Sequence, residues 1–137
     1  MKNSTYKDLA WKDLEYAKVM KDQKHWNPCA KFCEQFIEKM LKEIIDLEAQ
    51  EEDYPLMHSH NVPKLAKRVE TILNHEFSKE DVVWFRRLKD FYFNTNYPGD
   101  YYEEIEEEEI IELFLWIDKI MPMLLRQHME QLEVSAS

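Results

Sequence analysis

Arg86, Arg87 and Lys89 stand just before an aromatic turn, Asn94-Thr95-Asn96-Tyr97-Pro98-Gly99-Asp100-Tyr101-Tyr102. Cations can hold a phosphate, and tyrosine rings can stack on a base. On a helix Arg86 and Lys89 share a face, with Arg87 about 100° round from Arg86. The turn adds the Asn96 amide, the Asp100 carboxylate and the rings of Tyr97, Tyr101 and Tyr102 to a surface connection, where binding groups tend to sit. Each group also has a simpler use. The cations can pair with Glu103 or Glu104, and the tyrosines, Tyr92 included, can cover the end of a bundle or form half of a dimer contact. Gly99 is the only glycine, so no glycine-rich phosphate loop can be built.

A second constellation joins Cys29 and Cys33, one helical turn apart, to His58 and His60. Two thiolates and two imidazoles would suit zinc, but the cysteines continue an apolar face and lack the tight knuckle of a structural site, so no metal is expected. His25 reads as a loop residue over the start of the second helix.

These groups must be carried by helices. The chain has 137 residues, one glycine and 45% hydrophobic residues, the composition of long helices with short connections and too little turn chemistry for an all-β fold. A first helix, capped by Ser4 or Thr5, turns Tyr6, Leu9, Ala10, Leu14, Ala17 and Met20 inward. Asn27 is expected to cap a second helix with Pro28 at its first position, burying Cys29, Phe32, Cys33, Phe36, Ile37, Met40, Leu41, Ile44 and Ile45. Residues 48–58 read as an acidic loop. A third helix spans about residues 60–74, and a fourth opens on the capping box Ser78-Lys79-Glu80-Asp81 and ends near Phe93. A fifth follows the turn, with Pro122 expected to kink or end it and a frayed tail after residue 132. The prediction is an all-α, up-and-down bundle of four or five helices in a single domain over residues 1–137, with its core over about 4–129.

The 28 acidic and 18 basic residues give a net charge of −10, which argues against general DNA or RNA binding while leaving room for a local basic site. No apolar run approaches the ~18 residues of a membrane span. Two cysteines and a polar amino terminus predict a reduced, cytoplasmic protein.

Four segments, in this order and spacing, resemble the HEPN domain family (higher eukaryotes and prokaryotes nucleotide-binding). They are Trp11-Lys12-Asp13-Leu14-Glu15-Tyr16-Ala17, the run from Phe32 to Lys42, His60-Asn61-Val62-Pro63-Lys64-Leu65, and Asn94-Thr95-Asn96-Tyr97-Pro98. The resemblance spans roughly residues 6–120. It implies a four- to five-helix bundle, a homodimer, a nucleotide ligand without a further cofactor, and pairing with a small nucleotidyltransferase in a toxin-antitoxin-like couple. It places His60 at a shared pocket, although a capping or surface role suits that residue equally. The turn of many members reads Thr-Arg-Tyr-Pro, and here Asn96 replaces the arginine, removing a phosphate-pairing charge. Ribonuclease branches use an arginine followed after four to six residues by a histidine. Arg68 and His75 satisfy that count, with Val69 where a polar residue usually follows the arginine. The reading is a non-catalytic nucleotide- or partner-binding module; the alternative is a metal-independent endoribonuclease acting through Arg68 and His75.

Overall fold

Thr5 settles where the first helix begins. Its hydroxyl accepts from the Asp8 amide at 3.1 Å, and the Asp8 carboxylate accepts from the Thr5 amide at 3.2 Å, so two otherwise unpaired donors are satisfied reciprocally. The computed structural model describes residues 5–48, 50–95, 98–99 and 101–136, with side chains described as far as residue 125. Helix α1 spans Tyr6–Asp22, α2 Trp26–Leu47, α3 Tyr54–Met57, α4 Val62–Leu73, α5 Lys79–Asn94 and α6 Glu107–Ala136, and there is no strand among the described residues. The expected all-α bundle is present.

Helix α2 is the axis of the molecule, in contact with α1, α4, α5 and α6. Its stripe of Cys29, Cys33, Phe36, Ile37, Met40, Leu41, Ile44 and Ile45 is buried as the periodicity predicts, with Phe32 partly covered. Opposite it lie Leu65, Val69, Phe85, Leu88, Phe91, Leu113 and Trp116. Each such side chain contributes about 1.5–3 kcal/mol on leaving water. Phe91 and Trp116, which sequence alone leaves between core and interface, belong to the core; Trp84 is half-buried and stacks on Trp116 at 5.9 Å.

Several boundaries differ from expectation for identifiable reasons. Helix α2 begins at Trp26, and Asn27 does not cap it: His25 precedes the helix without a side-chain bond. Asn27 instead donates to the Glu103 carbonyl at 2.8 Å and the Tyr102 hydroxyl at 3.2 Å, and accepts from the Ile105 amide at 2.7 Å. A cap-type residue has been taken by a long-range clamp on the chain before α6. Residues 48–58 are not wholly loop, because a 3₁₀ turn at Glu51–Asp53 leads into the single turn of α3. His60 lies just outside α4, which is capped by Asn61 and closed by Asn74 in the left-handed conformation at φ 50°. Leu9 is exposed, and Asp13, buried, faces Lys39 of α2. Helix α6 does not end at Pro122 but runs through it. The box of Ser78 and Asp81 opens α5 as predicted.

Candidate nucleotide-binding groove

Helices α4 and α5 pack side by side and leave a furrow between them. Lys64 and Lys67 are three residues apart on α4, and Arg86 and Lys89 three apart on α5, so each pair occupies one helix face. With Asn61, Pro63 and Asp90 these four cations line a groove of about 570 Å³. A narrower recess of about 270 Å³ adjoins it, sharing Pro63, Lys67 and Arg86 and walled by Ala66, Phe77, Val82, Phe85 and Glu70. Among the described residues none of the four cations is in an ion pair. A patch of four unpaired positive charges against one carboxylate, Asp90, is the reverse of the balance over the chain as a whole. Chemically it can accept an anion. Arg86 and Lys89 were legible in the sequence; Lys64 and Lys67 were missed, although their three-residue spacing beside the cap of α4 was visible.

Arg87, next in sequence to Arg86, is used differently. Its guanidinium donates to both carboxylate oxygens of Glu103, each at 2.8 Å, and to both of Glu109, at 2.7 and 2.8 Å, and it lies over the Phe91 ring at 4.7 Å. Bonding to Glu109, then to Glu103, raises its pKa, and the same guanidinium lowers the Glu103 carboxyl to about 2 with help from Asn94. Arg87 therefore pins the chain preceding α6 to α5 and is committed to structure. Tyr101 is almost fully exposed, Tyr102 is tied to Asn27, and Tyr92 stacks on His60. Asn96, Tyr97 and Asp100 lie outside the described residues.

At the Asn61 end of the groove sits a polar cluster that hydrophobic periodicity could not foresee. Glu34, Glu38 and Lys42 follow one another at four-residue steps on α2, and all three are buried. Glu38 accepts from Lys42 at 3.4 Å and pairs through its other oxygen with His60 Nδ1 at 2.9 Å. The imidazole stacks on Tyr92 with ring centroids 4.4 Å apart and planes 15° from parallel. Glu34 accepts from Gln35 at 2.6 Å, while its Oε1 has no partner among the described residues. Burial first, and then the Glu38 charge, push the Glu34 carboxyl up to about 9, so it holds its proton at neutral pH.

A family model for the HEPN domain matches residues 4–126. The chain belongs to the HEPN domain family. No curated protein and no solved structure matches it. Membership supports a nucleotide-binding or ribonuclease-type module in general terms. No helix among the described residues is long and apolar enough to cross a membrane.

In this HEPN domain the arginine of the ribonuclease-like pair is engaged. Arg68 Nε and Nη2 donate to the Asp53 carboxylate at 2.7 and 3.1 Å, and Asp53 is buried in the 3₁₀ turn. That bond is the main cause of both the raised pKa of Arg68 and the lowered pKa of Asp53. His75 packs edge-on to Phe77 and lines a shallow depression with Lys67, Glu70, Thr71, Asn74 and Glu76, in which Arg68 takes no part. Cys29 and Cys33 are buried within the core of the HEPN domain, and burial pushes the Cys33 thiol well up. His58 packs edge-on to Tyr54.

Proposed function

We propose that this HEPN domain is a non-catalytic nucleotide-binding module whose ligand lies in the furrow between α4 and α5. The phosphate rests on Lys64, Lys67, Arg86 and Lys89, and the base on the wall of Ala66, Phe77, Val82 and Phe85. One observation carries the reading: on a chain of net charge −10, four cations without carboxylate partners among the described residues line one groove beside an apolar recess. A ligand that binds only the folded state raises its stability by RT ln(1 + [L]/Kd), about 2.7 kcal/mol at a hundredfold excess over Kd. The test is thermal unfolding with nucleoside monophosphates, with adenosine and inorganic phosphate as controls. A shift for nucleotides exceeding both controls supports the reading, and no shift with any of them contradicts it.

The partner-binding half of the reading, as a homodimer or as companion to a small nucleotidyltransferase, draws on a different surface. Val83 of α5 and Ile111 and Leu115 of α6 are exposed apolar side chains. Such side chains are available to a protein partner. Sedimentation of the chain alone and co-purification with such an enzyme test the two forms. For the ribonuclease alternative, the engagement of Arg68 by Asp53 weighs against a grip on RNA phosphate; RNA cleavage lost on His75→Ala would favour it.

A further inference from the structure

His60 is held on two sides. Nδ1 faces the Glu38 carboxylate at 2.9 Å, and one ring face lies on Tyr92. To bond a carboxylate, Nδ1 must carry the hydrogen, which leaves Nε2 as the nitrogen able to gain a proton. Nε2 makes no hydrogen bond among the described residues, and 44% of the side chain is exposed although Glu38 is almost wholly buried. His60 and Tyr92 are not themselves in the groove lining, but both are close in sequence to residues that are. His60 precedes the lining residue Asn61, and Tyr92 follows the lining residue Lys89 by three positions, about 4.5 Å along the helix.

We propose, resting on the nucleotide-binding reading above, that His60 is a proton-gated ligand for a phosphodiester in this groove, taking a proton from solvent onto Nε2 as the anion binds. The imidazolium then donates from Nδ1 to Glu38 and from Nε2 to a phosphate oxygen, with no covalent change. The neighbouring charges set the balance. Glu38 on α2 favours the added proton, while Lys42 on α2, Lys64 on α4 and Lys89 on α5 oppose it. Asp90 on α5 is a further carboxylate of the groove, Glu34 on α2 is neutral near pH 7, and the Tyr6 phenol of α1 is kept protonated by burial and by Asp46 and Glu38. A phosphate anion completes the set by supplying a counter-charge on the open side of the ring. By linkage, binding takes up protons, and affinity falls as pH rises.

The probe is the deoxydinucleotide of two adenosines joined by one phosphodiester. It keeps one charge between pH 5.8 and 7.8 and has no 2′-hydroxyl to attack its own linkage. Titration of the full chain should give a Kd at least about threefold weaker at pH 7.8 than at 5.8. His60→Gln should abolish that ratio and His58→Gln should retain it. Calorimetry of the unaltered protein in two buffers of different ionisation enthalpy should show proton uptake on binding, which keeps the test independent of any variant. Binding with equal affinity at both pH values and no proton uptake overturns the role of His60 and leaves the groove standing. Binding at neither pH overturns the role of His60, and the groove then stands or falls with the nucleoside monophosphate titration.

Discussion

Arg87 grips Glu103 through two hydrogen bonds of 2.8 Å, across sixteen residues of sequence that include the turn between α5 and α6. With Glu109 added, one guanidinium on α5 fixes both the approach to α6 and its first turn. Arg87→Ala should therefore destabilise the fold by about 2–4 kcal/mol, since it leaves two part-buried carboxylates facing each other without a cation. Arg86→Ala, removing an exposed side chain in no ion pair, should shift stability by less than about 0.5 kcal/mol. Urea unfolding of the two variants checks the contrast.

The same pair sets an acid limit. The folded-state carboxyl of Glu103 lies near 2, below its ordinary 4.5, so its contribution is fully present above about pH 4.5 and is lost as pH falls toward 2. Melting temperatures measured from pH 6 to pH 2 should fall more steeply for the unaltered protein than for Glu103→Gln. The two should differ most at pH 6 and converge at the acid end.

Glu34 has the opposite sign. Its carboxyl stays protonated up to about 9 in the fold but ionises near 4.5 when unfolded, so it penalises folding increasingly as pH rises above 4.5. Glu34→Gln, which keeps the shape and removes the ionisable proton, should stabilise the protein at pH 7 by about 1–3 kcal/mol. That gain should vanish below pH 4.5. An equal gain at pH 4 and pH 7 would show that ionisation is not its source.

Asn27 joins α2 to the chain before α6 through three hydrogen bonds, two of them to backbone groups of Glu103 and Ile105. Asn27→Ala should cost about 1–3 kcal/mol and speed amide exchange at Ile105. A change at Ile105 no larger than that at distant α4 amides would contradict the clamp.

Helices were legible because their signals are local. The box of Ser78 and Asp81 and the apolar stripe of α2 each depend on residues a few positions apart. What sequence could not resolve depends on chain segments meeting. Asn27 looked like a cap because asparagine often is one, and only the arrival of residues 102–105 gives it another use. The burial of Glu34 and Glu38 follows from the packing around α2 and from the His60 contact, neither of which a local pattern records. For the candidate site, Arg86 and Lys89 were visible as a basic patch, but their separation from Arg87 is decided by Glu103 and Glu109, and the contribution of Lys64 and Lys67 by the packing of α4 on α5.

On the proposed reading the four groove cations hold a nucleotide phosphate. Its most direct test is an equilibrium titration of nucleoside monophosphates into the unaltered protein and into Lys67→Ala/Arg86→Ala, at low and at physiological salt. Binding should weaken as salt rises and fall by at least about tenfold in the double variant, whose melting temperature should stay near that of the parent. Equal affinity in the two proteins, or no binding to the parent at low salt, would contradict it.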